Sequence, residues 1–401
     1  MREKIKKLMP KKVLYVLKQI RYVWITFLFY LFRIVPLKKD LIVICNVWGI
    51  GDNAKYIMKE LVRRKVKDNK KYKIVFITNH PKKYGKVSNV LVCKTNSIKA
   101  IYYLSVGGIW VDNNRKENYI RKRKGQYYIQ TWHGGIALKK IEKDYEDKLG
   151  YKYVANAKRD SKMADLYVSN SNFCTNMYRN SFWYQGEILE CGSPRNDILL
   201  NQQTNLEWQV RKRLGIGDDV KLAIYAPTYR ESNDLTPYQL DYEKILVTLQ
   251  KKFGGKFVLA VRLHPLVAAQ SNHLTYNENV INATSYPDLY ELMAIGEVLI
   301  TDYSNIMFEF SFMKKPVFLY AKDRYEYEKE RGFYFEYGSL PYDISIKEDE
   351  LIKHILDFKE DDYLSRVNEF FKLIEVYETG NASKAVVDRI ILEINKKITV
   401  D

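Results

Sequence analysis

The residue best placed to do chemistry is His133, which follows the predicted strand Tyr127–Gln130 and precedes Gly134 and Gly135. Paired glycines let a substrate approach the main chain closely, and the turn they form opens toward a helix start that favours phosphate. An imidazole at this position suits a general base. A histidine that only makes hydrogen bonds within a turn has the same pattern, so both interpretations stand on these residues alone.

A second histidine, His264, comes at the end of the predicted strand Phe257–Leu263 and is followed by Pro265. Proline restricts the preceding residue to an extended conformation, which would hold the imidazole at the edge of the sheet. Together with Arg262, this side chain could bind a diphosphate. The alternative is a strand-end turn with one solvated arginine.

A third stretch runs from the predicted strand Val298–Thr301 into a turn and then a helix. Its hydroxyl and amide groups, with the N–H groups at the helix start, could cradle phosphate oxygens, and a carboxylate one turn into the helix could bind a ribose. Simple N-capping of the helix is the alternative. The candidate donor-binding residues in this stretch are Thr301, Asp302, Ser304, Asn305 and Glu309.

Further polar loops follow other predicted strands, and their strongest candidates are Arg230 and Arg195. A guanidinium binds phosphate through two hydrogen bonds, so we assign Arg230 to a donor and Arg195 to an acceptor or phosphate contact. Each loop could also be an ordinary turn. With the glycine turn included, the candidate acceptor or phosphate contacts are Asp52, Asn53, Gly134, Gly135, Lys139 and Arg195.

The elements that must position these residues are parallel sheets. From residue 40 onward, short apolar runs alternate with longer helical patterns, which is typical of βαβ units. The runs predict two Rossmann-like domains, 40–200 and 201–380, with a hinge at Gly192–Gln203 and a final helix in 381–401 that packs back on them. Ligands bind beyond the carboxyl ends of parallel strands, so we expect both domains to face a shared cleft. The predicted strands are Leu41–Asn46, Lys73–Thr78, Val90–Cys93, Ile109–Asp112, Tyr127–Gln130, Leu166–Ser169, Glu187–Glu190, Lys221–Ala226, Phe257–Leu263, Val280–Asn282, Val298–Thr301 and Pro316–Leu319.

Residues 1–39 form a basic leader that holds eleven Lys/Arg and one acid, a net charge of +10 out of +18 for the chain. Within the leader, Tyr22–Phe32 is apolar and uncharged, but it is shorter than the roughly 20 residues that a membrane-spanning helix needs. Basic flanks and aromatic residues such as Trp24 favour an amphipathic helix in the interface of an anionic membrane. We therefore expect a peripheral protein at the cytoplasmic face of the membrane. The alternative is a helix that packs on the catalytic domain with its charges in solvent.

Taken in order, these motifs resemble the CDP-glycerol glycerophosphotransferase family, the primases and polymerases of teichoic acids and related capsules. The resemblance extends from residue 51 to about residue 335. It implies a GT-B-type fold and transfer of glycerol phosphate or ribitol phosphate, with release of CMP, from CDP-glycerol or CDP-ribitol to a lipid-linked polymer precursor. The matching segments are GDNAKYI, WHGGIALKK, VSNSNF, GSPRND, APTYR, RLHP, TDYSNIMFEF and KKPVFLY.

Two motifs depart from the family's pattern. The family's His-Gly-Thr-Pro-Leu-Lys reads His-Gly-Gly-Ile-Ala-Leu-Lys here, with Gly135 and Ala137 in place of Thr and Pro. The histidine is retained, and we expect different contacts on the acceptor side. The family's Asp-Tyr-Ser-Ser ends in Asn305 here, which changes one expected phosphate contact.

The predicted mechanism is an in-line displacement in which His133 deprotonates the acceptor hydroxyl and CMP leaves. His264, Arg262 and Ser304 would stabilise the charge that grows on the leaving phosphate. Asp302 and Glu309 lack a clustered third carboxylate, and the four scattered cysteines lack metal-ligand spacing. We therefore expect neither a metal nor another cofactor.

Two rival functions share some of these features. A glycosyltransferase on the same fold would use a nucleotide sugar and have a similar cleft and basic surface. A non-enzymatic module that binds nucleic acid or anionic lipid would explain the net charge, but more than half of that charge lies in the leader. We therefore expect no nucleic-acid partner.

Overall fold

The computed structural model describes residues 10–201, 204–230, 236–330 and 332–398, which fold around two parallel β-sheets. The strands of the first sheet are β1 (Lys38–Cys45), β2 (Lys73–Thr78), β3 (Val90–Lys94), β4 (Gly107–Asp112), β5 (Tyr127–Gln130), β6 (Leu166–Ser169) and β7 (Glu187–Glu190). Those of the second are β8 (Val220–Tyr225), β9 (Lys256–Val261), β10 (Val280–Asn282), β11 (Gly296–Thr301), β12 (Val317–Tyr320) and β13 (Asp343–Ser345). Every pair of neighbouring strands in both sheets is parallel.

The helices lie between the strands and at the two ends of the chain. They are α1 (Lys11–Leu31), α2 (Asp52–Lys67), α3 (Ile98–Val106), α4 (Tyr151–Met163), α5 (Asn172–Ser181), α6 (Asp197–Leu200), α7 (Leu206–Leu214), α8 (Tyr242–Phe253), α9 (Leu289–Ile295), α10 (Ile306–Ser311), α11 (Arg324–Glu330), α12 (Glu348–Asp357), α13 (Glu360–Leu373) and α14 (Ala382–Ile398). Side-chain caps mark several starts. Ser97 accepts a hydrogen bond from the Ala100 N–H at the start of α3, and Asp241 accepts one from the Lys244 N–H at the start of α8.

The strand order places a crevice in each sheet. The first sheet runs β3-β2-β1-β4-β5-β6-β7 and the second β10-β9-β8-β11-β12-β13, so the order reverses between β1 and β4 and between β8 and β11. The central strands are buried on both faces, which requires continuous apolar runs such as Leu41–Cys45 of β1. Loops after adjacent strands diverge at such a reversal, and this is where open α/β sheets bind ligands.

Strand β13 was not predicted from the sequence. Its three residues, Asp343–Ser345, contain a single large apolar side chain, so they form no apolar run. The strand is specified instead by its pairing with β12, where Phe318 lies opposite Asp343 and Leu319 opposite Ile344. Tertiary pairing therefore supplies what the local pattern lacks.

The first and second halves of the chain are joined by main-chain and side-chain contacts around the cleft. Residues 332–334 lie beside the glycine turn, where the Lys140 N–H donates to the Gly332 carbonyl (2.8 Å) and the Tyr334 N–H to the Leu138 carbonyl (2.8 Å). On the other side, the buried Lys55 ammonium pairs with Asp288 and Glu291, both at 2.5 Å. These contacts hold the two sheets in one closed arrangement.

The last helix, α14, packs on the first half of the chain. Val386, Val387 and Ile390 are fully buried in a cluster with Ile42 of β1 and Ile57 of α2. Asp197 caps the start of α14 by accepting hydrogen bonds from the N–H groups of the residues at 382 and 383. Residues 399–401 of the predicted C-terminal segment lie outside the described residues.

The N-terminal helix α1 has one face on the body of the protein and one face in solvent. Ile25, Leu28 and Phe29 are buried, whereas Val23 is 68% and Trp24 54% exposed. The packing agrees with one of the two alternatives drawn from the sequence, but the solvent face is apolar rather than only charged. None of the described helices combines the length and apolar character needed to cross a bilayer. Residues 1–9 of the leader lie outside the described residues.

Candidate active site

A cleft of about 700 Å³ lies between the two sheets. Loops that follow β5, β7, β8, β9 and β11 line it, so both sheets contribute the carboxyl ends of their strands. Its size is that of a pocket for a nucleotide-sized ligand. The sequence-predicted residues that line the cleft are His133, Gly134, Gly135, Lys139, Arg195, Arg262, His264, Ser304, Asn305 and Glu309.

His133 is held as a proton acceptor. Its Nδ1 lies 2.9 Å from the Asn113 carbonyl oxygen, which only accepts, so Nδ1 carries the proton and Nε2 keeps its lone pair. The side chain is open to the cleft, yet the walls around it desolvate the ring. This burial lowers the pKa of His133, against a smaller opposing effect of the hydrogen bond to Asn113. The imidazole is therefore neutral near pH 7 and available as a base.

His264 has the opposite tautomer. Its Nδ1 accepts a hydrogen bond from the Leu266 N–H at 3.2 Å, which caps the turn after β9 and places the proton of the neutral ring on Nε2. Burial lowers the pKa of His264, and the nearby charges of Lys139 and Arg262 lower it further. The neutral ring is thus a hydrogen-bond donor, whereas the neutral His133 ring is an acceptor.

Arg262 is a half-buried cation whose hydrogen-bond partners among the described residues are main-chain carbonyl oxygens. Its Nη1 donates to the carbonyl oxygens of Ala283 (2.9 Å) and Tyr286 (2.7 Å). Within the described residues, no carboxylate lies at ion-pair distance from its guanidinium. Burial lowers the pKa of Arg262 to about 10, with Asp288 opposing the shift at longer range. A desolvated cation of this kind favours an anionic ligand.

Arg195 lies where the two halves of the chain meet. Its Nη1 donates to Asp52 Oδ1 (2.8 Å) and to the His133 carbonyl (2.7 Å), and its Nη2 donates to Glu309 Oε1 (2.5 Å). Glu309 also accepts a hydrogen bond from the Tyr290 hydroxyl at 2.6 Å. Burial raises the pKa of Asp52, but the Arg195 charge and the hydrogen bonds from Arg195, Asn113 and the Asn53 N–H together outweigh it and hold this pKa below its usual range. Three residues that the sequence assigned to ligands, Asp52, Arg195 and Glu309, thus pair with one another in the structure.

Asp52 and Asn53 lie behind the turn that carries His133 and do not line the cleft. The Asn53 side-chain amide donates to the Trp132 carbonyl at 3.1 Å and its Oδ1 accepts from the Arg195 N–H at 3.1 Å. Asp52 also accepts from the Asn113 side chain at 2.7 Å. Both residues therefore contact groups around the histidine, and neither is among the residues that line the cleft.

Arg230, Thr301 and Asp302 also lie behind the cleft wall. The Arg230 guanidinium pairs with Asp302 (2.8 Å) and Asp323 (2.6 Å) and lies 4.9 Å from the ring centroids of Tyr303 and Tyr327. Thr301 donates its hydroxyl to the Ala226 carbonyl at 2.7 Å. All three are fixed by protein partners, so the structure places them as supports of the donor-side loops and not as residues on the cleft surface.

Ser304 and Asn305 lie at the cleft surface in front of those supports. The Ser304 side chain makes no hydrogen bond to the described part of the chain. Asn305 uses Oδ1 to accept from the Leu138 N–H at 3.1 Å, which joins the donor-side turn to the glycine turn. One end of the Asn305 amide is therefore held by the main chain of the glycine turn.

The second glycine of the turn is required by space. A Cβ at Gly135 would lie 2.5 Å from Asn170 Nδ2, whereas one at Gly134 would meet nothing closer than 3.6 Å. Trp132, one residue before His133, has a left-handed φ of +53° and stacks its ring 4.2 Å from the imidazole, measured between centroids. The turn is therefore tightly built, with strain at a position where strain often accompanies function.

Sequence reasoning missed several residues of the site. The main partners are Asn113, which fixes the His133 tautomer, and Tyr290, which holds Glu309. Asn113 directly follows β4, so its position after a strand was an available signal. Tyr290 lies in α9 and makes its contact across a long sequence separation, which no local pattern encodes.

The fold and the site together define an α/β protein with a cleft, lined by two histidines, between two parallel sheets. Residues 27–392 match the family described as CDP-Glycerol:Poly(glycerophosphate) glycerophosphotransferase. The chain therefore belongs to this family.

Individual relatives agree with this placement. A teichoic acid poly(glycerol phosphate) polymerase of Staphylococcus epidermidis is 31% identical over 361 residues, which cover 86% of this chain and 49% of that protein. A teichoic acid glycerol-phosphate transferase of Staphylococcus aureus is 31% identical over 295 residues, 70% of this chain and 75% of that protein. A solved structure of a variant of the wall teichoic acid polymerase TagF, soaked with CDPG, matches with a TM-score of 0.80 and 28% identity, over 97% of this chain and 100% of that one. The chain spans about half the length of the S. epidermidis relative.

Proposed function

We propose that this chain transfers glycerol phosphate or ribitol phosphate from CDP-glycerol or CDP-ribitol to a lipid-linked teichoic acid or capsule precursor, releasing CMP. The observation that carries the proposal is the pair of histidines with opposite tautomers in one cleft, beside the uncompensated Arg262. One ring accepts a proton while the other donates a hydrogen bond. Transfer of a phosphoryl group to a hydroxyl needs both functions.

The reaction is an in-line displacement at the phosphorus that bears the polyol. The acceptor hydroxyl loses its proton to Nε2 of His133 as its oxygen forms the new P–O bond. The P–O bond to CMP breaks, and CMP leaves with the electron pair. Nε2–H of His264 and the Arg262 guanidinium face the charge that develops on the leaving phosphate. The leaving group does not need to be protonated, because it departs as CMP, a phosphate monoester.

The two halves of a GT-B-type fold divide these tasks. The first domain, 40–200, supplies His133 and receives the acceptor, and the second, 201–380, supplies Arg262, His264 and Ser304 and receives the donor. The similarity to a TagF variant soaked with CDPG supports a cytidine-diphosphate donor. The relatives named for glycerol phosphate and for ribitol phosphate support the polyol-phosphate class.

We further propose that the N-terminal helix α1 attaches the protein to the cytoplasmic face of an anionic membrane as a peripheral protein. Its solvent face is apolar, with Ile20 60%, Val23 68% and Phe27 52% exposed, while Lys18 and Arg21 lie in the same helix. Apolar area and basic charge together bind an amphipathic helix to anionic lipid. A lipid-linked acceptor lies in the same plane, so this attachment would bring the cleft to its substrate.

The test is a product assay on the purified chain with a lipid-linked acceptor. CDP-glycerol, CDP-ribitol and a panel of nucleotide sugars are supplied separately, CMP release is followed, and the acceptor product is weighed by mass spectrometry. We expect CMP and an added polyol phosphate from at least one CDP-polyol. Transfer of a sugar from a nucleotide sugar, with no product from either CDP-polyol, would replace this proposal by a glycosyltransferase.

A further inference from the structure

Arg195 is a buried residue whose contacts are all with protein atoms near the reacting groups. It is 4% exposed, and its guanidinium donates to Asp52, to the His133 carbonyl and to Glu309. Its Nε also donates to Glu309 Oε1 at 3.1 Å. Four of its five N–H groups are thereby used, which leaves little capacity for a ligand.

The main chain that carries the His133 imidazole is fixed from both sides by this residue. Arg195 Nη1 holds the His133 carbonyl at 2.7 Å, and the Arg195 N–H holds Asn53 Oδ1 at 3.1 Å. Asn53 in turn donates to the Trp132 carbonyl at 3.1 Å, where the left-handed φ of +53° must be stabilised. Loss of these contacts would let the turn relax and move the ring.

The other end of the Arg195 network lies in the donor domain. Glu309 belongs to α10, which begins directly after the turn formed by Ser304 and Asn305 at the cleft surface. The side chain of Glu309 is 2% exposed and is also held by the Tyr290 hydroxyl. The buried ion pair between Arg195 and Glu309 thus joins the turn that carries His133 in one domain to the helix beside the donor turn in the other.

We infer that Arg195 is a positioning residue, which sets the distance between the His133 imidazole and the donor by tying the catalytic turn to Glu309. The inference rests on the proposed function, because it assumes that His133 is the base. It replaces the ligand contact that the sequence suggested for Arg195. A misplacement of about 1 Å between reacting groups costs on the order of a hundredfold in rate, so such a tie has a measurable effect.

The same geometry predicts an effect on proton transfer. Apart from burial and the hydrogen bond to Asn113, the charged groups that act on the His133 ring are Asp52 and Glu142, which raise its pKa, and Arg195, which lowers it. Removing the Arg195 charge while keeping Asp52 should therefore raise the pKa of His133. The acidic limb of the pH–rate profile would then move to higher pH.

The experiment compares three variants of the full chain in the CMP-release assay. Arg195→Lys keeps the charge but has one ammonium for three acceptors. Arg195→Met with Glu309→Gln removes the pair together, so that Glu309 is not left as a buried unpaired carboxylate. Arg211→Lys is the matched control, because Arg211 is also a buried arginine, paired with Glu207 and two carbonyls of its own domain.

We expect Arg195→Lys to lower kcat by roughly tenfold or more while KM for CDP-glycerol changes by less than about threefold. The double variant should also shift the acidic limb upward, and Arg211→Lys should change neither. A raised KM for the donor or the acceptor with unchanged kcat would overturn the inference and make Arg195 a substrate contact. Equal effects of Arg195→Lys and Arg211→Lys would also overturn the inference, because they would show that Arg195 only supports folding. Full activity of His133→Ala would instead refute the proposed base. Any effect of the Arg195 variants would then need an explanation that does not involve His133 as a base.

Discussion

A buried carboxyl group, Glu378, makes a pH-dependent contribution to stability that can be measured. Its Oε1 accepts hydrogen bonds from the Ser193 N–H (3.0 Å), Asn196 (2.7 Å) and Asn170 (3.2 Å). Its Oε2 has neither solvent contact nor a partner among the described residues, and a Cβ on Gly192 would lie 2.6 Å from it. Burial raises the pKa of Glu378 to about 8, and the three hydrogen bonds only partly offset this. The folded protein therefore holds this carboxyl group protonated at neutral pH.

The sign and size of the effect follow from linkage. A raised folded pKa contributes stability that is fully present below the unfolded pKa and is lost as the pH rises through the folded pKa. For a rise of the Glu378 pKa from its ordinary value of 4.5 to about 8, the contribution to stability falls by about 4 kcal/mol between pH 5 and pH 9. Glu378→Gln resembles the protonated acid and does not titrate. The variant should match the wild type near pH 5 and exceed its stability by up to about 4 kcal/mol near pH 9.

Urea unfolding of both proteins at pH 5, 7 and 9 measures this difference. Glu187→Gln is a suitable control, because hydrogen bonds from Arg389 lower the pKa of Glu187. The ionised form of Glu187 is therefore already stabilised in the folded protein at high pH. The control should show no gain at pH 9. Parallel stability curves for Glu378→Gln and wild type would show that Glu378 is already ionised at neutral pH and would refute the reasoning.

Three further predictions concern the site and the membrane face. His133→Ala should lower turnover by about a hundredfold or more, the value of a positioned general base, while calorimetry finds near-normal CDP-glycerol affinity. His264→Ala should impair use of the donor and leave the melting temperature nearly unchanged, because the ring lies at the cleft surface. Val23→Glu with Trp24→Glu should abolish binding to phosphatidylglycerol vesicles, since both side chains are exposed and their loss does not open the core.

Each of these predictions has a result that contradicts it. Collapse of donor binding in His133→Ala would move the catalytic role to another residue. A large fall in melting temperature with unchanged turnover would make His264 structural. Sedimentation of the Val23→Glu, Trp24→Glu protein with vesicles at high salt would place the attachment elsewhere. Deleting residues 1–35 is a less clean test of attachment, because it would also uncover the packing surface of Ile25, Leu28 and Phe29.

Most strands were predictable because buried parallel strands need continuous apolar runs. The predicted bounds of β2, β5, β6, β7 and β10 agree with the structure, and the other predicted strands differ only at their ends. The cysteines Cys45 and Cys93 are buried in strands without a disulfide, as their apolar surroundings indicated. β13 was not predicted from the sequence, because its three residues contain only one large apolar side chain and take their conformation from pairing with a neighbouring strand.

For the candidate site, the sequence predicted which residues come together but not which protein groups each side chain contacts. Residues after the carboxyl ends of parallel strands meet, so His133, His264 and Ser304 were correctly expected at one cleft. The partners of each side chain depend on how the two domains pack, which no local pattern encodes. Arg195 and Glu309 are far apart in the sequence, yet they form one ion pair across the domain boundary.

The contrast between Arg230 and Arg262 shows how packing decides which cation meets a ligand. Both follow a strand of the second sheet, but Arg230 is neutralised by Asp302 and Asp323, while Arg262 has only carbonyl partners among the described residues. Desolvation without a counter-ion is unfavourable, and it is the reason that the pKa of Arg262 falls to about 10. An anion that enters the cleft would remove this penalty, so part of its binding free energy comes from relieving the unliganded protein. A neutral ligand of the same shape gains nothing from this relief, so Arg262 favours an anionic ligand over a neutral one.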